Sequence, residues 1–467
     1  MSRRILVLCA LVITGCAANG PRARSGDHSD VGAVVDGIAN RYLAETPIAG
    51  LVVTVARDGE IVHDAGYGLA RRSPDVAAGP GVPFEYFSVS KPVTAVLLLK
   101  LAERGLLDLD APAGKYVRGL PAHYAAATLR QLLRHSSGGV ETLIDEFDPE
   151  PRFARAPTRA DLLDWLSGVT VVARPDETWI YDGWGFVVAG LAAEDAAGRG
   201  FGELIRTEIA QPLSLGTFAW CPELASTRAQ GYMFVDEALA PIPAIDFGWF
   251  GGAGALCGTA GDLARWWLAV RSGQVIAPTS LQEWTTPVAL ERNGGRADFG
   301  YGLAVRLGDY GGHTKIGHTG DGAGGTSILA EYPDDRLLIV VATNTAGVKV
   351  PYALEIEAAI ARELLDIPQA TPPTVSIPPE ALATVPGLYR STEGVFCVQA
   401  RGDALHVSTD QEQAVELRYV GGGRFLRPGD TDSIEYFLGW PDHTEWFGYA
   451  WYGLPMDLAA KVSDTCP

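Results

Sequence analysis

The chain has 467 residues, a formal net charge of -19, 47% hydrophobic and 20% charged residues, 55 Gly and 30 Pro. That composition is ordinary for a globular protein with many turns, and the length leaves room for two or three domains. The acidic balance argues against a nucleic-acid backbone or an anionic membrane surface as partner, because both would be repelled.

Residues 1–15 start with Arg3 and Arg4 and run apolar from Ile5 to Ile13, too short to span a bilayer as a mature helix. They read as an export signal. Ile13-Thr14-Gly15-Cys16 resembles a bacterial lipobox, in which cleavage before Cys16 leaves a lipidated N-terminus; a plain signal peptide cut nearby is the alternative. On the first reading the protein meets a membrane only through this N-terminal lipid anchor, on the periplasmic face and preferably of the outer membrane. Residues 16–30, small and polar, then form a tether.

Two apolar, β-branched runs flank Asp58-Gly59 in "GLVVTVARDGEIVHDAGYG" (Gly50 to Gly68), which predicts a hairpin. Helical spacing follows from Val93 to Arg104, with Leu97, Leu98 and Leu101 on one face, and again around Leu129, Leu132 and Leu133. "TSILAEYPDDRLLIVVATN" (Thr326 to Asn344) predicts a second hairpin turning at Pro333-Asp334-Asp335, and "YALEIEAAIARELL" (Tyr352 to Leu365) a helix. Strands at both ends of a segment whose middle is helix and loop imply that distant parts of the chain pair in one sheet, so residues 31–367 form one domain. Residues 368–380 are a Pro-rich linker. Residues 381–467, short aromatic runs between Gly-rich turns, form a small all-β domain.

With Cys9 removed in the signal and Cys16 assigned to lipid, Cys221, Cys257, Cys397 and Cys466 remain, and an oxidising compartment favours pairing them. Cys397 and Cys466 share the C-terminal module and are expected to pair, leaving Cys221 with Cys257; buried free thiols are the alternative. No Cys-x-x-Cys occurs, and no metal or organic cofactor is expected.

Ser88 stands three residues before Lys91 in "FEYFSVSKPVTAVLLLKLAERGLL" (Phe84 to Leu107). The chain has 19 Ser and six Lys, so chance supplies roughly a quarter of one Ser-x-x-Lys match. Its position says more than its spacing. Ser88 lies just before a helix with Pro92 in its first turn, so free N–H groups point at Ser88 and Lys91 sits one turn on, on the same face. A Ser hydroxyl needs a neighbouring base to become a nucleophile, and a Lys serves if burial or another cation lowers its pKa. A helix-capping Ser beside an unrelated solvated Lys is the competing reading. No Gly-x-Ser-x-Gly elbow or His-Glu-x-x-His is present, and the Gly251-Gly252-Ala253-Gly254 run lacks the Lys of a phosphate loop.

The stretch Phe87 to Val117 resembles the nucleophile helix of the serine β-lactamase and penicillin-binding-protein-like family, in its class C-like branch of esterases, D-aminopeptidases and D,D-carboxypeptidases. "TLRQLLRHSSGG" (Thr128 to Gly139), "RPDETWIYDGWGFVVAGLAAE" (Arg174 to Glu194), "GGAGALCGTAGDLARW" (Gly251 to Trp266) and "GHTGDGAGGTSILAEYPDDRLLIVVATN" (Gly317 to Asn344) resemble further blocks in the same order. The resemblance implies a β-lactamase/transpeptidase-like α/β (α+β) fold, with a central antiparallel sheet flanked by helices, a helical subdomain and the C-terminal β module. It also implies that Ser88 is the acylated nucleophile, Lys91 its base and Tyr181 the proton shuttle. His318, Thr319 and Gly320 match the third motif, although Lys315-Ile316-Gly317 competes for that register. Backbone N–H groups of Ser88 and Asp321 would form the oxyanion hole. Where the family usually has Tyr-x-Asn, this chain has Tyr181-Asp182-Gly183, so the Asn contact to the substrate amide is missing. Asp182 and Asp321 also place two acids close to the expected site, which would favour a substrate with a positive charge such as a free amine; that both point to solvent as loop acids is the alternative. The function implied is a monomeric serine hydrolase acting on small esters, D-amino-acid peptides or amides, or β-lactams; a slowly turning-over penicillin- or peptidoglycan-binding lipoprotein is the rival.

Overall fold

The hairpin around Asp58-Gly59 opens the central sheet as β1 (Gly50–Arg57) and β2 (Glu60–Arg72), with φ of 57° and 84° at the two turn residues. Positive φ at both central residues is what a two-residue turn between twisted strands demands, and Asp-Gly tolerates it. The computed structural model describes residues 29–466, apart from 141–149, 244, 348, 370–372, 392–393, 410–412, 429–431 and 442–443. The segment read as an export signal, and Cys16, lie outside the described residues.

The remaining strands of this sheet are β3 (Asp75–Ala77), β4 (Arg306–Tyr310), β5 (His313–Gly322), β6 (Gly325–Tyr332) and β7 (Leu337–Thr343). The order across the sheet is β4-β5-β6-β7-β1-β2-β3, so β1 pairs antiparallel with β7 from the far end of the domain, Leu51 opposite Thr343 and Arg57 opposite Leu337. Both faces of β1 and β7 are buried, which explains their continuous apolar runs.

One face carries Leu51, Val53, Ile339 and Val341 and packs against helices α1 (Ser29–Glu45) and α5 (Ala353–Leu364). Helix α1 starts inside the stretch read as tether, because Val31, Val34, Val35 and Ile38 form a helical stripe that docks on the sheet. The other face, with Val52, Leu329, Leu338 and Val340, packs against the helical layer. This layer includes α2 (Ser90–Glu103), α3 (Gly183–Ala197) and α4 (Ala260–Arg271). Helix α2 is buried from Ser90 to Leu99 and again at Leu101, so it is a central helix rather than a one-sided surface helix.

The C-terminal residues close an eight-stranded antiparallel barrel, β8 (Gly387–Arg390), β9 (Val395–Arg401), β10 (Ala404–Thr409), β11 (Val415–Gly421), β12 (Arg424–Leu426), β13 (Ser433–Leu438), β14 (Trp446–Trp451) and β15 (Leu454–Ser463). Tyr389, Phe396, Phe425, Phe437 and Phe447 fill its core, and closure against β8 leaves no open edge. Cys397 and Cys466 are joined in the barrel, and Cys221, at the start of a 3-10 turn, is joined to Cys257 on the short strand Leu256–Gly258. The barrel docks on β4: Asp309 N–H donates to the Gly453 carbonyl at 3.2 Å, and a Cβ at Gly308 would collide with that same carbonyl.

Candidate active site

Ser88 occupies a single 3-10 turn, Phe87–Val89, that leads directly into α2. Phe87 carries a φ of 48°, a left-handed value that a bulky residue adopts only when its surroundings enforce it. They do so here: Phe87 packs with Phe247, Ala255 and the Cys221–Cys257 disulfide. The strained turn is clamped from behind.

One turn into α2, Lys91 is 2% exposed, and its Nζ donates to Ser88 Oγ at 2.8 Å and to the Ala253 carbonyl at 3.1 Å. The same Nζ stands 4.8 Å from the centre of the Tyr181 ring and 5.7 Å from that of Phe186. The glycine-rich segment Gly251–Gly254 makes this possible by lying close on α2 and α3. A Cβ at Gly252 would press on the Phe186 carbonyl and Thr94, and Thr94 Oγ1 donates to the Gly252 carbonyl at 2.6 Å.

Tyr181 lies in the loop before α3, its ring 4.4 Å from that of His135, 5.9 Å from Trp179 and 6.4 Å from His318. The neighbouring Asp182 does not turn to the substrate side, contrary to the sequence-based expectation. It is 1% exposed and is the N-cap of α3: its carboxylate accepts from the Gly185 N–H at 3.2 Å and from the Tyr124 hydroxyl at 3.0 Å. An acidic N-cap is satisfied by the free amides and positive end of its helix, so this carboxylate is committed to α3. Gly183 is the first residue of that helix.

On β5, strand β4 pairs with His313–Gly317, whereas His318–Gly322 is paired by β6. This second half lies against the Ser88 turn, because a side chain at Gly320 would run into the Tyr86 carbonyl, Ser327 Oγ and Phe87. His318 is fully buried. Its Nδ1–H donates to the Thr319 carbonyl at 2.6 Å, so Nε2 accepts the Tyr301 hydroxyl at 3.0 Å. Burial, with the Arg306 and Lys91 charges adding to it, holds the His318 imidazole well below its ordinary pKa, and the residue is neutral. Alternation puts Thr319 and Asp321 on the opposite face of β5. The Asp321 carboxyl reaches solvent at the strand end, yet surrounding protein desolvates it and pushes its pKa up to about 6. Lys315 shares that opposite face, fully buried, its Nζ 2.6 Å from Glu357 Oε2, and does not compete with His318 for the site.

The sequence profile of the Beta-lactamase family matches residues 35–362. The chain belongs to the Beta-lactamase family. It is similar to penicillin-binding protein 4* of Bacillus subtilis (strain 168), 25% identical over 415 residues, or 83% of this chain and 90% of that one. It is 28% identical over 222 residues to esterase EstB of Burkholderia gladioli, covering 43% of this chain and 54% of the esterase. In fold it is similar to the D-amino acid amidase of Ochrobactrum anthropi SV3 complexed with L-phenylalanine, with TM-score 0.62 and 20% identity, covering 72% of this chain and 98% of that one.

Within this Beta-lactamase-family frame, three residues beside Tyr181 were given no role from the sequence. His135, with φ 56°, is buried among Tyr181, Trp179, Phe186 and Tyr301. Its Nδ1 accepts the Asp182 N–H at 3.0 Å, and burial holds its pKa well below the ordinary value. Tyr301 and Arg306 complete the ring cluster. His135 stands in "TLRQLLRHSSGG", and Tyr301 sits between Gly300 and Gly302, a pattern that marks a close backbone approach.

Proposed function

We propose that this Beta-lactamase-family chain is an exported serine hydrolase that works through an acyl-enzyme. The observation that carries the reading is the 2.8 Å contact between the buried Lys91 Nζ and the half-buried Ser88 Oγ, at the start of a helix and near the ring of Tyr181. Ser88 Oγ attacks a substrate carbonyl while its single proton passes to the Lys91–Tyr181 pair, which has first released one proton to solvent and so acts as the base. The carbonyl oxygen takes the negative charge, stabilised by the N–H groups of Ser88 and Asp321. The bond to the leaving group then breaks, the proton from Tyr181 or Lys91 returns to the departing oxygen or nitrogen, and water hydrolyses the Ser88 ester.

Small esters and D-amino-acid amides are the favoured substrates, and β-lactams the least. Gly183 offers no side-chain amide, and the third motif holds a neutral His318 in place of a cation. Asp321 supports a substrate with a free amine. Its cross-strand partner Thr326 accepts the Ala353 N–H at 2.8 Å, which sets Tyr352 at the start of α5 beside it, with Trp451 of the barrel edge-on to Tyr352 at 5.4 Å. A carboxylate near an aromatic ring, as Asp321 is near Tyr352, suits an ammonium. In this proposal Cys16 carries the lipid that tethers the enzyme in the periplasm, residues 31–367 form the catalytic domain, and the protein acts as a monomer.

The decisive experiment is labelling with a fluorophosphonate probe, read by intact mass. The native protein should take one label and Ser88→Ala none; equal labelling of the two, or none of the native protein, would overturn the mechanism. A panel of activated ester, D-amino-acid amide and penicillin then ranks the substrates, and a product burst without steady turnover would favour the slowly turning-over lipoprotein instead. Palmitate incorporation lost in Cys16→Ala tests the anchor.

A further inference from the structure

Arg306 is an unusual residue to find where it stands. It is 4% exposed on β4, and among the described residues no carboxylate pairs with it. Its Nη1 donates instead to two barrel carbonyls on β15, that of Pro455 and, at 3.3 Å, that of Met456. The guanidinium lies 5.7 Å from the ring centres of Trp179 and Tyr181 and 5.8 Å from that of Tyr301. Its Nε has no protein partner.

A buried cation without an acid is a poor way to gain stability, because carbonyl dipoles and π faces replace only part of its hydration. An apolar side chain of similar volume would serve packing alone. The surroundings are already apolar: Trp179, Phe299 and Tyr301 form one cluster with Trp446 and Leu458 of the barrel, and Tyr181 packs against it. The charge therefore has to be explained by what it faces.

We propose that Arg306 is a positioning residue through which the C-terminal barrel completes the active site. The β15 carbonyls hold its guanidinium against Trp179, Tyr181 and Tyr301, and the guanidinium holds Tyr181 over Lys91 and Tyr301 on His318. The barrel is then a working wall of the site rather than an appended module. The electrostatics agree. The charge of Arg306 adds to burial and to Lys91 in keeping His318 and His135 neutral, and neutral His318 is what accepts the Tyr301 hydroxyl. The groups facing His318 are Tyr301, Tyr181, His135, Lys91 and Arg306, so removing Arg306 takes away one of its two neighbouring cations.

This inference rests on the serine-hydrolase reading for its kinetic part, so the test has two arms. In the first, steady-state hydrolysis of an activated ester is followed from acid to alkaline pH for the full chain, Arg306→Lys and Arg306→Met. Arg306→Met should lower kcat at least tenfold with KM within about twofold, and shift the acid limb to higher pH. Arg306→Lys should leave the acid limb in place and recover part of kcat, since one ammonium keeps the charge but cannot span both carbonyls and three rings. In the second arm, NMR titration of the histidine rings needs no turnover: His318 and His135 should protonate at higher pH in Arg306→Met. If Arg306→Met does not fold, Arg306→Lys decides alone, and wild-type kcat in that variant overturns the proposal. A lowered melting temperature with unchanged kcat, acid limb and histidine titrations would also overturn it, leaving Arg306 a structural residue. Failure of Ser88 to label with fluorophosphonate would defeat the hydrolase reading while leaving the histidine titrations to decide the role of Arg306.

Discussion

The Tyr301 hydroxyl donates to His318 Nε2 across 3.0 Å while His318 Nδ1–H is held by the Thr319 carbonyl, so β5 presents a neutral imidazole in a defined tautomer. A protonated His318 could not accept that hydroxyl. The arrangement ties the proton pattern of the site to pH, and His135, buried against Tyr181 with its Nδ1 accepting a backbone N–H, obeys the same constraint.

Both imidazoles are depressed below the ordinary value, chiefly by burial. Above about pH 6.5 they are neutral folded and unfolded alike, and stability does not depend on them. Below it the unfolded chain binds protons that the folded one refuses, so stability falls, by up to about 1.4 kcal/mol per pH unit for each histidine. Urea unfolding between about pH 7.5 and 5.5 should show this loss in a range where ordinary carboxylates are still ionised. Asp321, and with it Asp64, Glu194, Glu331 and Glu355, is raised by burial and acts in the opposite sense. The two imidazole rings are therefore also followed by NMR, and protonation at about pH 6.5 in the folded protein would mean that they are not held neutral.

Gly320 is the contact point between β5 and the Ser88 turn. In Gly320→Ala the new methyl meets the Tyr86 carbonyl and Ser327 Oγ, which hydrogen-bond to each other at 2.6 Å, so the strand must move off the turn. Overpacking of this kind costs about 1–3 kcal/mol. The larger effect should be on acylation, because the Asp321 N–H moves with the strand: fluorophosphonate labelling is expected to slow about 100-fold or more, the size of losing one oxyanion donor. Native labelling rates in a destabilised variant would remove Asp321 from the oxyanion hole.

How far the sequence could be read follows from where each partner lies. The Asp58-Gly59 hairpin and the start of α2 are local, and they are legible because turn chemistry and helix entry involve neighbours in the chain. The pairing of β1 with β7 is distant, but strands at both ends of one domain leave few alternatives. The orientation of Asp182 is not legible, because a motif register says which residue follows Tyr181, not whether its side chain turns into the helix it caps. Arg306 could not be found at all. Its partners Pro455 and Met456 are 149 and 150 residues away, and no spacing rule links a strand edge to a barrel carbonyl.

Lys315 and Glu357 form a fully buried ion pair, with Tyr332 donating to the other carboxylate oxygen at 2.8 Å and Lys315 also reaching the Tyr452 carbonyl at 3.1 Å. The pair joins β5, α5 and the barrel. Lys315→Met leaves a buried carboxylate and should destabilise the protein by about 3–5 kcal/mol, whereas Lys315→Met with Glu357→Leu should recover most of that. Denaturant unfolding measures both. Ser88 labelling should be unchanged wherever the variants remain folded; loss of labelling in the folded double variant would instead place Lys315 in the third motif.

Asp321, unlike Asp182, has a carboxyl that reaches solvent, at the end of β5 on the face opposite His318, and its pKa of about 6 makes any effect on a substrate titratable. Above that value the carboxylate is ionised and attracts an ammonium; as pH falls through it the charge is lost. For a free-amine D-amino-acid amide, KM should therefore rise as pH drops through about 6, while the N-acylated amide, which carries no charge there, should show no such rise. Asp321→Asn should abolish the difference between the two substrates and leave the reaction of the N-acylated form nearly untouched, because the backbone N–H at this position is retained. Parallel pH profiles for the two amides in the native enzyme would show that Asp321 does not read the amine, and selection among substrates would then have to come from groups other than this carboxylate.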